Sequence, residues 1–314
     1  MRVVVTDHVF ADLDIERAAV AELGGELVLA PSTDEATLVE EASHADALLV
    51  CYAPVGARVV EAAAANDCKV IARYGIGVDN VDVAAATQAG IRVTNVPDYC
   101  VEEVADHAMA LLLACARQLR PGIDSVRAGG WELPRGRIHR IAGRRLALLG
   151  VGRIGRKVLE RALAFGLEVV GYDPYLSGPV PGLVREETPA AAVADADFVS
   201  LHVPLTEETR HLIGEPLIGA MRKAPYVVNT SRGGLVDTAA ALRALDRGAL
   251  AGLALDVTEE EPLPADSPLR NHPKVIVTPH MAFYSVEAER ELQRRAVEEV
   301  VRALRGEPAV SAVN

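Results

Sequence analysis

Short runs of β-branched and other apolar residues alternate along the chain with longer stretches whose apolar positions recur at helical spacing. The short runs predict strands, and the longer stretches predict helices such as Val101–Leu119, Ile154–Phe165 and Thr238–Arg247. This alternation is typical of parallel sheets covered by helices on both faces. The predicted strands are Arg2–Thr6, Ala47–Cys51, Lys69–Ala72, Arg92–Asn95, Arg145–Leu149, Glu168–Tyr172, Asp197–His202, Tyr226–Thr230, Gly252–Asp256 and Lys274–Thr278.

Ten predicted strands are many for one sheet, so the pattern predicts two α/β units. A long helix over Val101–Arg120, ended by Pro121-Gly122, and an irregular connection after it mark the boundary region. A fresh unit opens at Arg145. The last helix, roughly Ser285–Leu304, is expected to return to the first unit. The expected domains are 1–100 with 285–314, and 101–284.

A glycine-rich turn stands between the strand that ends at Leu149 and a predicted helix. In this context the first glycine allows a tight turn, the second lets the backbone approach a pyrophosphate, and the third lets helix and strand pack closely. The helix N-terminus favours the phosphate charge. A tight turn that binds nothing is the alternative. The predicted dinucleotide contacts are Gly150, Gly152, Arg153, Ile154 and Gly155.

Asp173 stands eighteen residues after Gly155, at the end of the next apolar run. A carboxylate at this place accepts hydrogen bonds from the adenine-ribose hydroxyls and repels a 2′-phosphate. Pro174 and Tyr175 follow it, where an NADP site usually has a basic residue. The sequence therefore predicts NAD as the cofactor.

Arg232, Glu261 and His280 each stand just beyond a predicted strand. Because loops at the carboxyl ends of parallel strands converge on one crevice, all three are candidates for the same pocket. Each also has a structural alternative, since an Arg can pair with a surface acid, a Glu can be solvated and a His can cap a helix.

The sequence around these residues resembles that of the D-isomer-specific 2-hydroxyacid dehydrogenases, closest to the C-terminal-binding-protein-like and phosphoglycerate-dehydrogenase-like branch. The resemblance covers nearly the whole chain. It implies two doubly wound parallel-sheet α/β domains, namely a discontinuous, flavodoxin-like substrate domain and a Rossmann NAD-binding domain. The matching segments are Arg73–Asp82, Asn95–Pro97, Val101–His107, Tyr172–Tyr175, Asn229–Asp237, Leu255–Pro262 and Thr278–Ser285.

The resemblance implies an NAD-dependent oxidoreductase that interconverts a small 2-oxo acid and its D-2-hydroxy acid by hydride transfer. His280 would be the acid/base, and Glu261 bonded to it would favour the imidazolium and fix its orientation. Arg232 would bind the carbonyl and the carboxylate of the substrate with its planar donor fork. Further implied substrate contacts are Tyr52, Ile76 and Gly77, the last two through backbone N–H groups.

The resemblance also implies cofactor contacts beyond the glycine-rich turn. They would flank the adenosine and pyrophosphate or line the nicotinamide ribose, and Asp256 would accept from the carboxamide. For His202 and Asp256 the alternative is ordinary hydrogen bonding in a turn at a strand end. These candidates are His202, Val203, Pro204, Thr209, Thr230, Ser231 and Asp256.

Departures from the family pattern narrow the range of expected substrates. Many phosphoglycerate-type relatives have an Arg-Ser pair where this chain has Cys51-Tyr52-Ala53-Pro54, so a phosphorylated substrate is disfavoured. Formate-type relatives have Gln in place of Glu261, so formate oxidation is disfavoured. We expect a small or apolar 2-oxo acid such as glyoxylate or hydroxypyruvate. The alternatives are an NAD(H)-sensing protein of the transcriptional-corepressor type and a phosphite dehydrogenase on the same scaffold.

Composition limits the binding partners and the cellular location that we expect for the protein. A net charge of −12, from 32 Lys and Arg against 44 Asp and Glu, argues against a nucleic-acid partner. The chain has no 18-residue uncharged apolar run and opens on a strand pattern, so we expect a cytoplasmic protein without membrane insertion. No metal site is expected, and the cysteines are interpreted as buried thiols. They are Cys51, Cys68, Cys100 and Cys115.

The resemblance further implies a homodimer that pairs through the helix near Val101–Arg120 and the loop after it. Asp106 and His107 on this helix are interpreted as interface or domain-junction residues. A basic cluster in the connection is interpreted as solvated arms that pair with carboxylates or with a second subunit, the alternative being a nucleic-acid or acidic-partner site. It consists of Arg135, Arg137, His139, Arg140, Arg144 and Arg145.

Overall fold

In residues 1–133 and 138–314, which the computed structural model describes, twelve strands form two wholly parallel sheets. The strands are β1 (Arg2–Val5), β2 (Glu26–Leu29), β3 (Ala47–Val50), β4 (Val70–Arg73), β5 (Arg92–Thr94), β6 (Arg145–Leu149), β7 (Glu168–Tyr172), β8 (Leu183–Arg185), β9 (Phe198–Leu201), β10 (Tyr226–Asn229), β11 (Gly252–Leu255) and β12 (Val275–Val277). The α-helices are α1 (Asp14–Ala21), α2 (Glu35–Ala42), α3 (Ala57–Ala65), α4 (Val83–Gln88), α5 (Val101–Ala116), α6 (Leu119–Arg127), α7 (Arg153–Ala164), α8 (Pro189–Val193), α9 (Glu215–Ala220), α10 (Thr238–Asp246) and α11 (Val286–Leu304).

The chain divides into two compact units. The first unit comprises Met1–Tyr99 and Ser285–Asn314, and the second comprises Cys100–Tyr284. Strand order in the first unit is β2-β1-β3-β4-β5, which is the flavodoxin-like order. Ser285 begins the returning helix α11, because its hydroxyl accepts a hydrogen bond from the Ala288 N–H at 2.9 Å.

Strand order in the second unit is β12-β11-β10-β9-β6-β7-β8, the doubly wound order of a Rossmann domain. The order reverses between β6 and β9, whose residues from Leu146 to Leu149 pair with Phe198 to Leu201. Ligands bind outside the carboxyl ends of the strands at such a reversal. The predicted fold class, two parallel-sheet α/β domains, is confirmed.

Two strands, β2 and β8, were not predicted from the sequence. Each lies at the edge of its sheet and is partly exposed.

The prediction that Pro121-Gly122 ends the long helix is wrong. Helix α5 ends at Ala116, and the left-handed backbone of Gln118 (φ 50°) turns the chain into α6. Pro121 is the third residue of α6. Its missing N–H costs no hydrogen bond there, because first-turn amides have no acceptor within the helix.

The structure describes only part of the basic cluster, since Arg135 and Arg137 lie outside the described residues. Arg144 pairs with Asp197 at 2.8 Å, and Arg145 lies 3.6 Å from Glu168. All four cysteines are buried. In the described ranges we find no helix with the length and apolar character needed to cross a membrane.

Candidate active site

The glycine-rich turn connects β6 to α7 as predicted, and two of its glycines are required by close contacts. Gly150 has a φ of 96°, and a Cβ there would lie 2.5 Å from the carbonyl oxygen of His202. At Gly155 a Cβ would lie 2.4 Å from the Gly150 carbonyl oxygen. A Cβ at Gly152, in contrast, would meet no atom of the described residues within 4 Å. The turn is therefore packed at both ends and open in the middle, where a pyrophosphate would approach.

Helix α7 begins at Arg153, and within the described residues no side chain caps its N-terminus. The first amides of a helix have no acceptor within the helix and carry its positive dipole end. The N–H groups at Arg153 and Ile154 therefore suit an anion.

Asp173 follows β7 and lies against the glycine-rich turn. One carboxylate oxygen accepts a hydrogen bond from the Val151 N–H, and the other accepts from the Tyr175 N–H, each at 2.9 Å. A carboxylate has about four acceptor positions, so two remain for ribose hydroxyls.

Two buried polar atoms support the presence of a ligand at the ends of β9 and β10. His202 Nδ1 and Thr230 Oγ1 are buried, and neither has a hydrogen-bond partner among the described residues. The other ring nitrogen of His202 lies 2.9 Å from Ser200 Oγ. Burial lowers the pKa of His202 to about 4, so the ring is neutral at pH 7. Buried polar groups are rarely left unpaired, so both atoms fit the polar parts of a dinucleotide such as NAD.

The other candidates in these two loops make local hydrogen bonds. The Thr209 hydroxyl donates to the Pro204 carbonyl at 2.7 Å and accepts from the Thr206 N–H at 2.8 Å, which closes the turn after His202 and Val203. The Ser231 hydroxyl donates to the Leu201 carbonyl at 2.9 Å. These bonds fix the shape of the loops that follow β9 and β10.

Glu261 and His280 form a direct pair. His280 Nδ1 lies 2.7 Å from Glu261 Oε2, and Glu261 Oε1 accepts from the Thr258 N–H at 2.9 Å. Burial acts to raise the pKa of Glu261, but the hydrogen bond and charge of His280, the Thr258 N–H and the charge of Arg232 together lower it. The carboxylate is therefore ionised at neutral pH and orients the imidazole.

The turn after β10 brings Arg232 to the same place. Its carbonyl accepts from Asn229 Nδ2, and its Nη1 donates to the Ser231 carbonyl, both at 2.8 Å. A Cβ on Gly233 would lie 1.9 Å from the Thr258 carbonyl oxygen, so this turn packs directly on the segment that leads to Glu261. The three predicted catalytic residues thus share one edge of the second unit.

His280 lies on a turn that Asp256 holds. The backbone of His280 has a φ of 51°, and its N–H donates to the Asp256 carbonyl at 2.8 Å. The Asp256 side chain is 1% exposed and accepts from Thr278 Oγ1 (2.5 Å), the Met281 N–H (3.0 Å) and the Ala282 N–H (2.8 Å). The local hydrogen bonding given above as the alternative for Asp256 is therefore present.

His107, on α5, also reaches this network, a contact that the sequence interpretation missed. Its Nε2 lies 3.0 Å from Thr278 Oγ1 and 3.5 Å from Asp256 Oδ1. Burial acts to raise the pKa of Asp256, but His107, Thr278 and two backbone N–H groups lower it to about 2. The neighbouring Asp106 instead pairs with Arg161 at 2.6 Å. No local pattern indicates the His107 contact, because Thr278 is 171 residues away.

The substrate candidates Tyr52, Ile76 and Gly77 lie in the first unit, on the loops after β3 and β4. The Asp7 carboxylate accepts from the N–H groups of Cys51, Tyr52 and Ala53 at 2.7–3.1 Å. Asn95 Nδ2 donates to the Ile76 carbonyl at 2.6 Å. Side chains of the unit thus hold both loops at the carboxyl edge of its sheet.

Arg73 is a further candidate that the sequence analysis did not assign, although it begins the motif that contains Ile76. A Cβ on Gly75 would lie 1.1 Å from Arg73 Nη1, so the guanidinium rests on this glycine. Its central carbon is 6.0 Å from the centre of the Tyr52 ring, and its Nε is buried without a hydrogen-bond partner in the described part of the chain. A cation so placed can bind a carboxylate.

Comparison with known proteins adds an independent finding. The sequence profile of the D-isomer specific 2-hydroxyacid dehydrogenase, NAD binding domain, matches residues 109–282. A D-3-phosphoglycerate dehydrogenase of Methanocaldococcus jannaschii is 40% identical over 100% of the chain and 59% of its own length. A glyoxylate reductase of Korarchaeum cryptofilum is 39% identical over 88% of the chain and 85% of its own length. The chain thus spans about three fifths of the first relative and most of the second.

The fold also matches solved structures. A protein from Thermus thermophilus superposes with a TM-score of 0.90 at 36% identity, with both chains covered completely.

Proposed function

Because the chain belongs to the D-isomer specific 2-hydroxyacid dehydrogenase family, we propose that it interconverts a small 2-oxo acid and its D-2-hydroxy acid. The resemblance to this family and the expectation of NAD as cofactor are confirmed. The observation that carries the proposed activity is the 2.7 Å pair of Glu261 and His280 with Arg232 beside it. When bound, NADH supplies a hydride to the carbonyl carbon of the oxo acid.

His280 is the proposed proton donor. Its Nδ1 is bonded to Glu261, so we assign the proton transfer to Nε2. In the reduction direction His280 gives a proton to the carbonyl oxygen, and in the oxidation direction it takes that proton back. The Glu261 carboxylate stabilises the imidazolium and fixes the ring. Arg232 holds the carbonyl and the carboxylate with its donor fork, which polarises the bond that is reduced.

In the first unit, we assign the substrate carboxylate to the backbone N–H groups of Ile76 and Gly77 and to Tyr52. Arg73 supports this assignment as a nearby cation whose Nε is buried without a partner among the described residues. We assign residues 1–100 with 285–314 to substrate binding and residues 101–284 to NAD binding.

Turnover tests the proposal directly. NADH oxidation is followed by absorbance with glyoxylate, hydroxypyruvate, pyruvate and phosphohydroxypyruvate. The products of the last three are chiral and are assigned as D or L by chiral chromatography, whereas glyoxylate gives the achiral glycolate. We expect rapid turnover of one unphosphorylated acid, with the D product wherever the product is chiral. Turnover of phosphohydroxypyruvate alone would contradict the proposal that the substrate is unphosphorylated. An L product would contradict the proposed D-specific reaction. Absence of turnover with all four acids, together with tight NADH binding, would favour an NAD(H)-sensing role. A cytoplasmic location stays a prediction.

Asp173 is proposed to select NAD over NADP. Asp173→Ser is expected to change the ratio of the NADPH and NADH dissociation constants by about tenfold or more in favour of NADPH, because the repulsion of a 2′-phosphate disappears. Fluorescence titration of both reduced cofactors measures the ratio. Tyr175→Ser, close by in sequence and 87% exposed, is the control and is expected to leave the ratio within about twofold. An unchanged ratio in Asp173→Ser would exclude the ribose role.

A homodimer is proposed through α6 and the segment after it. Helix α5 packs in the core of the second unit, whereas exposed apolar residues lie on α6 and the segment after it, within the region that the sequence analysis named as the loop after the helix. Leu119, Ile123 and Val126 form an apolar stripe on α6, each at least 49% exposed. Trp131 (89% exposed) and Leu133 (91% exposed) continue it. Such a patch favours burial against a second copy.

Val126→Glu is expected to convert the dimer to monomers, because a carboxylate would be buried against an apolar partner. Sedimentation velocity measures the change in mass. Val184→Glu, on the edge strand β8 and similarly exposed at 60%, is the matched control. If Val126→Glu sediments like the parent chain, the interface lies elsewhere or the chain is a monomer.

A further inference from the structure

The turn that carries His280 has a conformation that its own sequence does not favour. His280 is a non-glycine residue in the left-handed region, at a φ of 51°. This region is unfavourable for an L-residue, so it persists only where neighbouring contacts hold it. Those contacts converge on Asp256, which accepts the N–H groups of His280, Met281 and Ala282. The position of the imidazole therefore depends on the position of Asp256.

Hydrogen-bond chemistry gives the network a direction. An ionised carboxylate only accepts, so the Thr278 hydroxyl, 2.5 Å from Asp256 Oδ1, donates to it. The Thr278 oxygen then accepts from His107 Nε2 at 3.0 Å. His107 Nε2 therefore carries a hydrogen, and the donor sequence runs from His107 through Thr278 to Asp256.

Helix α5, which carries His107 at the start of this series of hydrogen-bond donors, is firmly packed. His107 lies in α5, whose neighbouring residues Ala105, Ala108 and Leu111 are all buried in the core of the second unit. The His107 side chain itself is 19% exposed. An imidazole on a buried helix is a fixed reference point, because two side-chain torsions are all that remain free to move.

We propose that His107 is a positioning residue for His280: through Thr278 and Asp256 it holds the turn that directs the catalytic imidazole. The proposal rests on the function proposed for His280. His107 touches neither substrate nor cofactor in this role. Without the His107 N–H, the Thr278 oxygen loses one of its two hydrogen bonds, and the Asp256 carboxylate loses the link through Thr278 that connects it to α5.

Two substitutions at each position separate the hydrogen bond from side-chain volume. His107→Phe keeps a ring but removes the donor, whereas His107→Gln keeps an N–H donor at a similar reach. Thr278→Val removes the hydroxyl at constant shape, and Thr278→Ser keeps it. His44→Phe is the matched control, because His44 is an exposed histidine of the first unit whose side chain faces Glu40 at 3.4 Å, away from this network.

The expected result is a loss of kcat without a loss of binding. His107→Phe and Thr278→Val should each lower kcat by about tenfold, with the KM for the oxo acid and the Kd for NADH within about twofold. His107→Gln, Thr278→Ser and His44→Phe should stay within about threefold of the parent chain. The double variant His107→Phe/Thr278→Val should lose no more than either single variant, because both break the same donor sequence.

Three outcomes would overturn the proposal. Unchanged kcat in both His107→Phe and Thr278→Val would remove the functional link. A loss in the double variant equal to the product of the single losses would show independent effects. A parallel loss of kcat, NADH affinity and Tm in His107→Phe, not restored in His107→Gln, would show a role in stability alone.

A readout without turnover keeps this proposal distinct from the proposed function. In protein labelled with ¹⁵N-histidine, the Nδ1–H signal of His280 is assigned by its absence in His280→Ala. His107→Phe is expected to shift or broaden this signal, and His107→Gln is expected to restore it. A signal unchanged in His107→Phe refutes the positioning role even if the oxo-acid assay fails, whereas the expected shift supports it even if the substrate is a different one.

Discussion

Replacing His280 by alanine is expected to lower kcat for oxo-acid reduction by about 10²–10⁴-fold, the range found when a positioned acid/base is lost. The reason is that we assign the proton transfer to His280, whose charged form is stabilised by Glu261 at 2.7 Å. We assign NADH binding to the glycine-rich turn and to the loops after β9 and β10, so the Kd for NADH is expected to stay within about twofold. Single-turnover kinetics at saturating NADH measure the chemical step.

Glu261→Gln separates the charge of the pair from its geometry. The amide keeps a hydrogen-bond acceptor for His280 but no longer stabilises the imidazolium, so a smaller loss of about 10–10²-fold is expected. The pKa of Glu261 is lowered, which means that its carboxylate stays ionised as the pH falls below neutrality and supports the imidazolium there. Glu261→Gln has no carboxylate to protonate, so the decline of the reduction rate toward acid pH that follows the protonation of Glu261 should disappear. An unchanged pH profile, or full kcat in His280→Ala, would refute the assigned pair.

The parts of the site that the sequence predicted are those with local causes. The glycine-rich turn is set by steric contacts within a few residues, such as the approach of Gly155 to the Gly150 carbonyl. Arg232 and Glu261 follow the central strands β10 and β11, and His280 follows β12 beside them. Parallel sheet geometry alone brings the ends of these strands together. The fold class was predictable for the same reason, because central strands carry continuous apolar runs.

The parts that the sequence did not predict depend on tertiary contacts. Edge strand β8 is defined by its partner β7 rather than by its own half-exposed residues. The break between α5 and α6 occurs at Gln118, a residue with no special turn propensity. His107 acquires its role from Thr278, 171 residues later in the chain, and nothing near His107 in the sequence marks that contact.

Arg232 should be the most demanding position for substitution by another cation. Arg232→Lys keeps the charge that lowers the pKa of Glu261 but replaces a planar fork by a single ammonium. We expect kcat/KM to fall by about tenfold or more in Arg232→Lys and by about 10²–10³-fold in Arg232→Ala, since truncation removes the donor fork that we assign to the substrate carbonyl and carboxylate. The Kd for NADH should change little in either variant.

The controls for Arg232 distinguish fork geometry from charge. Arg243→Lys is the matched surface control, because Arg243 pairs with Glu215 at 3.0 Å on an exposed face, and an exposed pair contributes little. If Arg232→Lys equals the parent chain while Arg232→Ala is inactive, charge alone is required and bidentate binding is wrong. If added guanidinium restores turnover in Arg232→Ala but added ammonium does not, the planar donor set is the element that the substrate needs. The rescue is therefore the decisive comparison, since it varies the shape of the cation at constant charge.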